Sequence, residues 1–301
     1  MRIQFLTLAF SLICLNASAE ALADKKSSAE ILATATAEDW RQIPSDDLLI
    51  FQLERGQIAI ALSPVLAQNH VAQVKKLARD GFYDGLSFYR VIEGFVAQGG
   101  DPFNERELKS AEAVMVAEFE EDVDGAFLSA FFRHADPDGY AAEVGFIGTL
   151  PVGYDPEAGH AWHLHCAGAF AFGRENEKDT ASTEFYITLQ PQRYLDRNLS
   201  VFGRVIDGME HVQALRRVDP PASKEDDLGE AILSVRVASD ISVETRPAFE
   251  ILDSARPVFA EYVEARRNRP EEFFWFRPDH LDVCQLPIPV RSISSAAETA
   301  K

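Results

Sequence analysis

Gly85-Leu86-Ser87-Phe88-Tyr89-Arg90-Val91-Ile92-Glu93-Gly94-Phe95-Val96-Ala97-Gln98-Gly99-Gly100-Asp101 is the stretch on which the reading of this chain turns. Leu86–Val91 has the apolar character of a strand, and Arg90 lies inside it. An arginine in such a place is costly unless its head group has a partner or a task. Gly94 lets the chain bend, Phe95 supplies an aromatic wall, and Gln98 is close enough to orient a guanidinium. Gly99-Gly100-Asp101 reads as a tight turn. Taken alone, Arg90 is best read as a side chain reaching for the surface, so the surrounding sequence has to decide.

Upstream, Leu48–Leu53 and Gln57–Leu62 flank Glu54-Arg55-Gly56, the pattern of a β-hairpin. Ser63-Pro64 then predicts a helix start, with Val71, Val74, Leu77 and Ala78 at helical spacing and Gly81 as the stop. Downstream, residues 102–165 are long, acidic and turn-rich. Phe170–Phe172, Phe185–Leu189, Val201–Val205 and Ile232–Val237 read as strands, and Met209–Val218 as a short helix. Many short strands with two helices among them point to an antiparallel barrel or sandwich. Beyond residue 241 the spacing predicts a helix over Pro247–Arg267, then the aromatic run Phe273-Phe274-Trp275-Phe276 and an extended, proline-rich tail. The aromatic run is expected to be buried.

The chain has 301 residues, with 29 Lys+Arg against 48 Asp+Glu, a formal net charge of −19. This is ordinary globular usage, and the acidity argues against binding a nucleic-acid backbone, which needs clustered Lys and Arg. The sustained apolar run is confined to the N-terminus. There Met1-Arg2, the stretch Ile3–Leu15 and Ala17-Ser18-Ala19 make a basic start, a short apolar core and an A-x-A site. That pattern predicts a signal peptide over 1–19, an exported, periplasmic or secreted protein, and no stable membrane insertion after cleavage. Residues 20–45 read as a linker. Loss of Arg2 takes the charge from −19 to −20 and loss of Cys14 leaves Cys166 and Cys284. Two cysteines in an oxidising compartment form either one disulfide or two buried thiols; the disulfide is expected.

The common catalytic motifs are missing: no G-x-S-x-G elbow, no phosphate-binding P-loop, no G-x-G-x-x-G. The densest metal-like cluster is His160-Ala161-Trp162-His163-Leu164-His165-Cys166. Alternation places His163 and His165 on one face of a strand as candidate ligands. Without a second ligand set, a surface strand in a loop-rich insert is the expected reading, and no metal is assigned.

Three blocks in order change the weight of Arg90. The first is the stretch quoted above. The second comprises Gly168–Phe172 and Ser182-Thr183-Glu184-Phe185-Tyr186-Ile187-Thr188. The third runs Tyr194-Leu195-Asp196-Arg197-Asn198-Leu199-Ser200-Val201-Phe202-Gly203-Arg204 and on to Met209. Together they resemble the cyclophilins, peptidyl-prolyl cis/trans isomerases, over residues 46–240. The resemblance implies a mainly β fold: a closed eight-stranded antiparallel barrel capped by two helices, with the site on its outer face. It makes Arg90 the catalytic arginine and Gln98 its polar orienting partner. Phe95, Val96, Glu184, Tyr186, Tyr194, Leu195 and Leu199 become the substrate-binding wall. It implies no cofactor, and as partners the proline-containing segments of exported proteins bound by a monomer.

Against that family the chain has three departures. Glu184 stands where glutamine is usual; ionised, it only accepts hydrogen bonds, so it either takes substrate N–H groups or pairs with Arg90. Tyr194 replaces a typical tryptophan, and Leu199 replaces a histidine, making the pocket more apolar. Residues 123–166 are expected as an insertion and 241–301 as an extension docked on the barrel, with Cys166 and Cys284 joining the two. These departures keep a second function open, a non-catalytic cyclophilin-like binding or chaperone module.

Overall fold

The hairpin around Glu54-Arg55 sets the frame. In the computed structural model, which describes residues 25–293, α1 (Ser28–Thr34) and β1 (Trp40–Gln42) lead into β2 (Leu48–Leu53) and β3 (Gly56–Leu62). Next come α2 (Gln68–Arg79), β4 (Ser87–Val91) and β5 (Val96–Gly100). A middle segment carries β6 (Glu121–Asp122), α3 (Gly125–Ala130), β7 (Phe132–Arg133), β8 (Glu143–Ile147), β9 (Leu150–Asp155) and β10 (His160–His163). The main sheet resumes with β11 (Ala169–Phe172), β12 (Phe185–Thr188), β13 (Val201–Asp207), α4 (Met209–Gln213), β14 (Glu230–Ala231) and β15 (Ser234–Val237). Last are β16 (Ala248–Leu252), α5 (Pro257–Asn268) and β17 (Val290–Ile293). The signal-peptide reading at 1–19 lies outside the described residues. Among those residues no helix is long and apolar enough to cross a membrane.

The main sheet is antiparallel, in the order β14-β4-β5-β12-β11-β13-β3-β2-β15. It is a curled nine-stranded half-barrel, which corrects the expected closed ring of eight. Its two ends are successive pieces of one stretch, 230–237. Ile232 donates its N–H to Leu86 O (2.7 Å) and Leu233 donates to Gln52 O (2.9 Å), so the stretch changes partner from β4 to β2 and splits into two short strands. Side chains alternate across a strand, and the inner face collects Phe51, Phe88, Phe170, Phe185 and Phe202, all fully buried. Their rings meet mostly edge-on, Phe51–Phe185 at 5.2 Å and Phe170–Phe202 at 4.9 Å, the favoured aromatic geometry. Each such ring taken from water contributes roughly 2–3 kcal/mol.

Helix α2 packs Val71, Val74 and Leu77 onto that face. It begins at Gln68, not at the Ser63-Pro64 signal. Its cap comes from far along the chain: the Glu118 carboxylate accepts the N–H groups of Asn69 and His70, each at 2.9 Å, where the helix dipole favours negative charge.

The segment around 123–166 is less loop-like than its sequence suggests. Strands β6-β10-β9-β8-β7 form their own antiparallel sheet, and β10 is largely buried rather than superficial. The expected linker is likewise structured from residue 25 onward. Ser27 and Glu30 form a reciprocal capping box on α1, and β1 pairs with β16, which pairs with β17. The single helix predicted over Pro247–Arg267 resolves into β16 and α5, with Pro257 in the helix's first turn, the place its missing N–H costs nothing. Phe249 and Ile251 pack with Leu48, Ile50, Ala59 and Ala61 of the hairpin. A second cluster joins Ile31, Phe146, Trp162, Phe259 and Tyr262, that is α1, the insertion and α5. Cys166 and Cys284 form a disulfide, with Cα atoms 4.9 Å apart. The expectation of a buried aromatic run fails: Phe273, Trp275 and Phe276 are exposed, Trp275 completely.

Candidate active site

Register brings the candidate residues together. Arg90 of β4 stands opposite Gln98 of β5, and Gln98 stands opposite Tyr186 of β12. Three neighbouring strands thus present one row on the outer face; a register shift between Ser87 and Arg90 turns Arg90 away from the face that Phe88 occupies. The row continues into an outer apolar cluster of Val96, Leu150, Ala171, Tyr186 and Val201, with Phe95 and Leu199 packed against it. Leu150 lies in the 123–166 segment and packs with Val96 and Tyr186 in this cluster.

Beside this cluster lies a cavity of about 800 Å³ lined by Arg90, Phe95, Val96, Gln98, Glu184, Tyr186, Leu195 and Leu199. Arg90 donates from Nη1 to Gln98 Oε1 at 3.0 Å and lies over the Phe95 ring, 5.3 Å from its centroid. Gln98 in turn donates from Nε2 to the Tyr89 hydroxyl at 2.5 Å. The guanidinium is therefore held on one edge and one face. The turn that carries Phe95 depends on Gly94, whose φ of 65° suits glycine.

Glu184 does not take Arg90 as its partner. Its Oε1 accepts the Asp101 N–H at 2.6 Å and the Thr183 hydroxyl at 3.3 Å. A Cβ on Gly100 would overlap this carboxylate, and Gly100 has φ 141°, so glycine is what allows the approach. Burial pushes the Glu184 carboxyl above the ordinary glutamate range, and hydrogen bonds from Tyr89, Asp101 and Thr183 offset part of that rise. Burial raises the Tyr186 phenol as well. Tyr194 is the one expected site residue outside the cavity lining; it is 59% exposed. It sits mid-turn between Arg193, which is buried, and Leu195, which faces the cavity.

The cavity also includes Arg106, Arg174, Pro220 and Pro221, which the sequence reading missed. Pro220-Pro221 arrive because Val218 pairs with Val91, a single bridge with no run of pattern to announce it. Two of the three histidines in the cluster prove to be interior, His163 at 4% and His165 at 0% exposed, while His160 stays partly exposed. Burial alone pulls His163 down to about 3. Among the described residues no group of three or more His, Cys, Asp or Glu is placed to hold a metal.

With this geometry in view, comparisons with known proteins are specific. The family model described as cyclophilin type peptidyl-prolyl cis-trans isomerase/CLD matches residues 48–237. The chain belongs to this family. Among solved cyclophilins, the crystal structure of AquaCyp293 from Hirschia baltica is similar, with a TM-score of 0.70 and 27% identity, covering 90% of this chain and 98% of that one. The likeness therefore reaches past the matched domain into the flanking segments. A probable peptidyl-prolyl cis-trans isomerase of Brucella suis biovar 1 is 29% identical over 188 residues, 61% of this chain and 76% of that protein. Peptidyl-prolyl cis-trans isomerase B of Bacillus subtilis is 32% identical over 172 residues, 56% of this chain and 90% of its own length. This cyclophilin is thus a peptidyl-prolyl cis-trans isomerase.

Two predictions follow from the site of this cyclophilin. Because Tyr194 is exposed and outside the cavity, Tyr194→Ala should leave kcat/KM within about twofold of wild type, as for most surface substitutions; a tenfold loss in a proline-peptide assay would return it to the site. For Glu184, a carboxyl with a raised folded-state pKa supports the fold fully below its unfolded value of 4.5 and loses that support as pH rises through the folded value. Glu184→Gln should therefore melt higher than wild type at about pH 8, with the gap closing as pH falls through the raised folded value towards about 4.5. A gap that widens in acid would reverse the assignment.

Proposed function

We propose that the enzyme isomerises X-Pro bonds in exported polypeptides, with Arg90 as its catalytic group. The carrying observation is the guanidinium fixed between Gln98 Oε1 and the Phe95 face in the wall of a cavity that Val96, Tyr186, Leu195 and Leu199 also line. An X-Pro bond has nearly balanced cis and trans forms separated by about 20 kcal/mol of amide resonance. Twisting the bond breaks that resonance and localises a lone pair on the prolyl nitrogen. A pre-positioned cation directed at that nitrogen favours the twisted state over either planar one, the condition for catalysis. Phe95, Val96, Tyr186, Leu195 and Leu199 hold the proline ring, and Gln98 keeps the guanidinium in place. The chemistry calls for no nucleophile and no cofactor.

Export is supported by the signal-like 1–19 and by the Cys166–Cys284 disulfide, a bond that persists in oxidising compartments. We read the enzyme as a periplasmic or secreted monomer that assists folding of proline-containing exported chains. Its charge, −20 after loss of Arg2 from −19, disfavours nucleic acid and acidic clients. The test is an isomerisation assay on a proline peptide, comparing wild type with Arg90→Ala. Wild-type catalysis that Arg90→Ala loses supports the reading. Rates at the uncatalysed level in both proteins would replace it with the binding or chaperone module.

A further inference from the structure

Tyr186, in the wall of the cavity, has a hydroxyl with a buried partner. His165 Nε2 lies 2.8 Å from that oxygen, and the two rings are stacked at 11° with centroids 6.2 Å apart. On its other side, His165 Nδ1 lies 3.0 Å from Asp196 Oδ1, which also accepts the His165 backbone N–H at 2.8 Å. A carboxylate only accepts, so Nδ1 carries the proton. In the neutral ring Nε2 is then the acceptor, and the Tyr186 hydroxyl donates to it. Asp196 is held in turn: its Oδ2 accepts from Arg193 Nε at 2.6 Å, and Arg193 makes a two-pronged contact with Asp138, at 2.7 and 2.9 Å. Asp138 lies in the insertion and also accepts the N–H groups of Tyr140 and Ala141. Every side chain from Asp138 to His165 is at least nine-tenths buried.

We propose that His165 is a positioning residue of the proline pocket. It fixes the Tyr186 ring through the phenol and, through Asp196, the adjoining turn that presents Leu195. The insertion thereby builds the pocket from behind, although His165 itself is not among the residues lining it. Rotation of Tyr186 needs the His165 bond to break inside a water-poor interior, where an unpaired hydroxyl is costly. A ring held in that way keeps the slot open for proline before substrate arrives, so less ordering is left for the binding step. The inference rests on the reading of Tyr186 and Leu195 as pocket walls.

The test uses the full mature chain with His165→Leu, His165→Gln, Tyr186→Phe and the His165→Leu/Tyr186→Phe pair. Folding is followed by circular dichroism, kcat and KM by a proline-peptide assay. His165→Leu should raise KM about fivefold to tenfold with kcat within about twofold, the scale of one buried hydrogen bond. His165→Gln, which keeps an acceptor near the phenol, should recover most of that loss. In the Tyr186→Phe background, His165→Leu should add less than it does alone, because the two share one bond. A folded His165→Leu with wild-type KM, effects that simply multiply, or a glutamine variant as impaired as leucine would each overturn the proposal. Should His165→Leu fail to fold, Tyr186→Phe decides: an unchanged KM overturns it. Arg90→Ala run in parallel separates the two levels. If that variant keeps full activity, the pocket reading fails; if it alone is inactive while the His165 variants are normal, only the positioning role fails.

Discussion

Arg90→Ala is expected to lose about a hundredfold to a thousandfold in kcat/KM, nearly all of it in kcat. The size follows from removing one fixed electrostatic stabiliser from a site otherwise intact, about 3–4 kcal/mol of barrier. KM should move little, because the apolar wall of Val96, Tyr186, Leu195 and Leu199 does not depend on the guanidinium for its packing. Arg90→Lys should recover only part of the loss. A lysine places one compact charge where arginine offers a planar fork that can meet Gln98 Oε1 and the Phe95 face together. The readout is the catalysed exchange of a proline peptide, with circular dichroism to show that the variants fold. A variant within twofold of wild type would remove Arg90 from the mechanism.

Replacing both cysteines, Cys166→Ala with Cys284→Ala, should give the largest stability change. The bond closes a loop with a sequence separation of 118, worth about 4–5 kcal/mol in the chain-entropy account. At about 2–4 °C per kcal/mol for a protein of this size, the melting temperature should fall by roughly 10–15 °C. Reduction of the wild-type protein should produce the same fall. Equal melting temperatures with and without reductant, or peptide mapping that finds both thiols free, would refute the stabilising bond. The loss should fall first on the extension, because Cys284 belongs to the cluster that joins α1, the insertion and α5.

The legible parts of this chain are those in which local pattern and tertiary role agree. The β2–β3 hairpin follows its alternation around Gly56, and Arg90 and Gln98 face each other across the short turn at Gly94 that joins β4 to β5. The misread parts depend on partners far away in sequence. Helix α2 starts late because its cap is Glu118. β16 reads as helix because all five of its residues are buried between β1 and β17, which erases the alternation that marks a half-exposed strand. Histidines 163 and 165 suggest a surface because they are polar, yet Asp196 and Tyr186 supply His165 with an interior set of partners. Their only sequence signal is the alternation itself, which fits a metal face as well as a buried hydrogen-bond chain. The aromatic run reads as buried where the extension docks on the barrel, yet Trp275 stands in water.

The two-ended sheet has a consequence for the order of events during synthesis. Its ends lie within 230–237, and Val237 pairs back to Leu49. Leu252 pairs with Trp40, and Ala248 with Ile293. The pairings of Val237 and Leu252 join an early part of the chain to a late one, so neither can form while the ribosome still holds the late partner. Loop-closure entropy must be overcome before such contacts return any energy, and folding slows accordingly. The β2–β3 hairpin can form early; the sheet around it is completed only when 230–237 have emerged. A nascent chain of this protein therefore cannot complete its nine-stranded sheet until Val237 has left the ribosome.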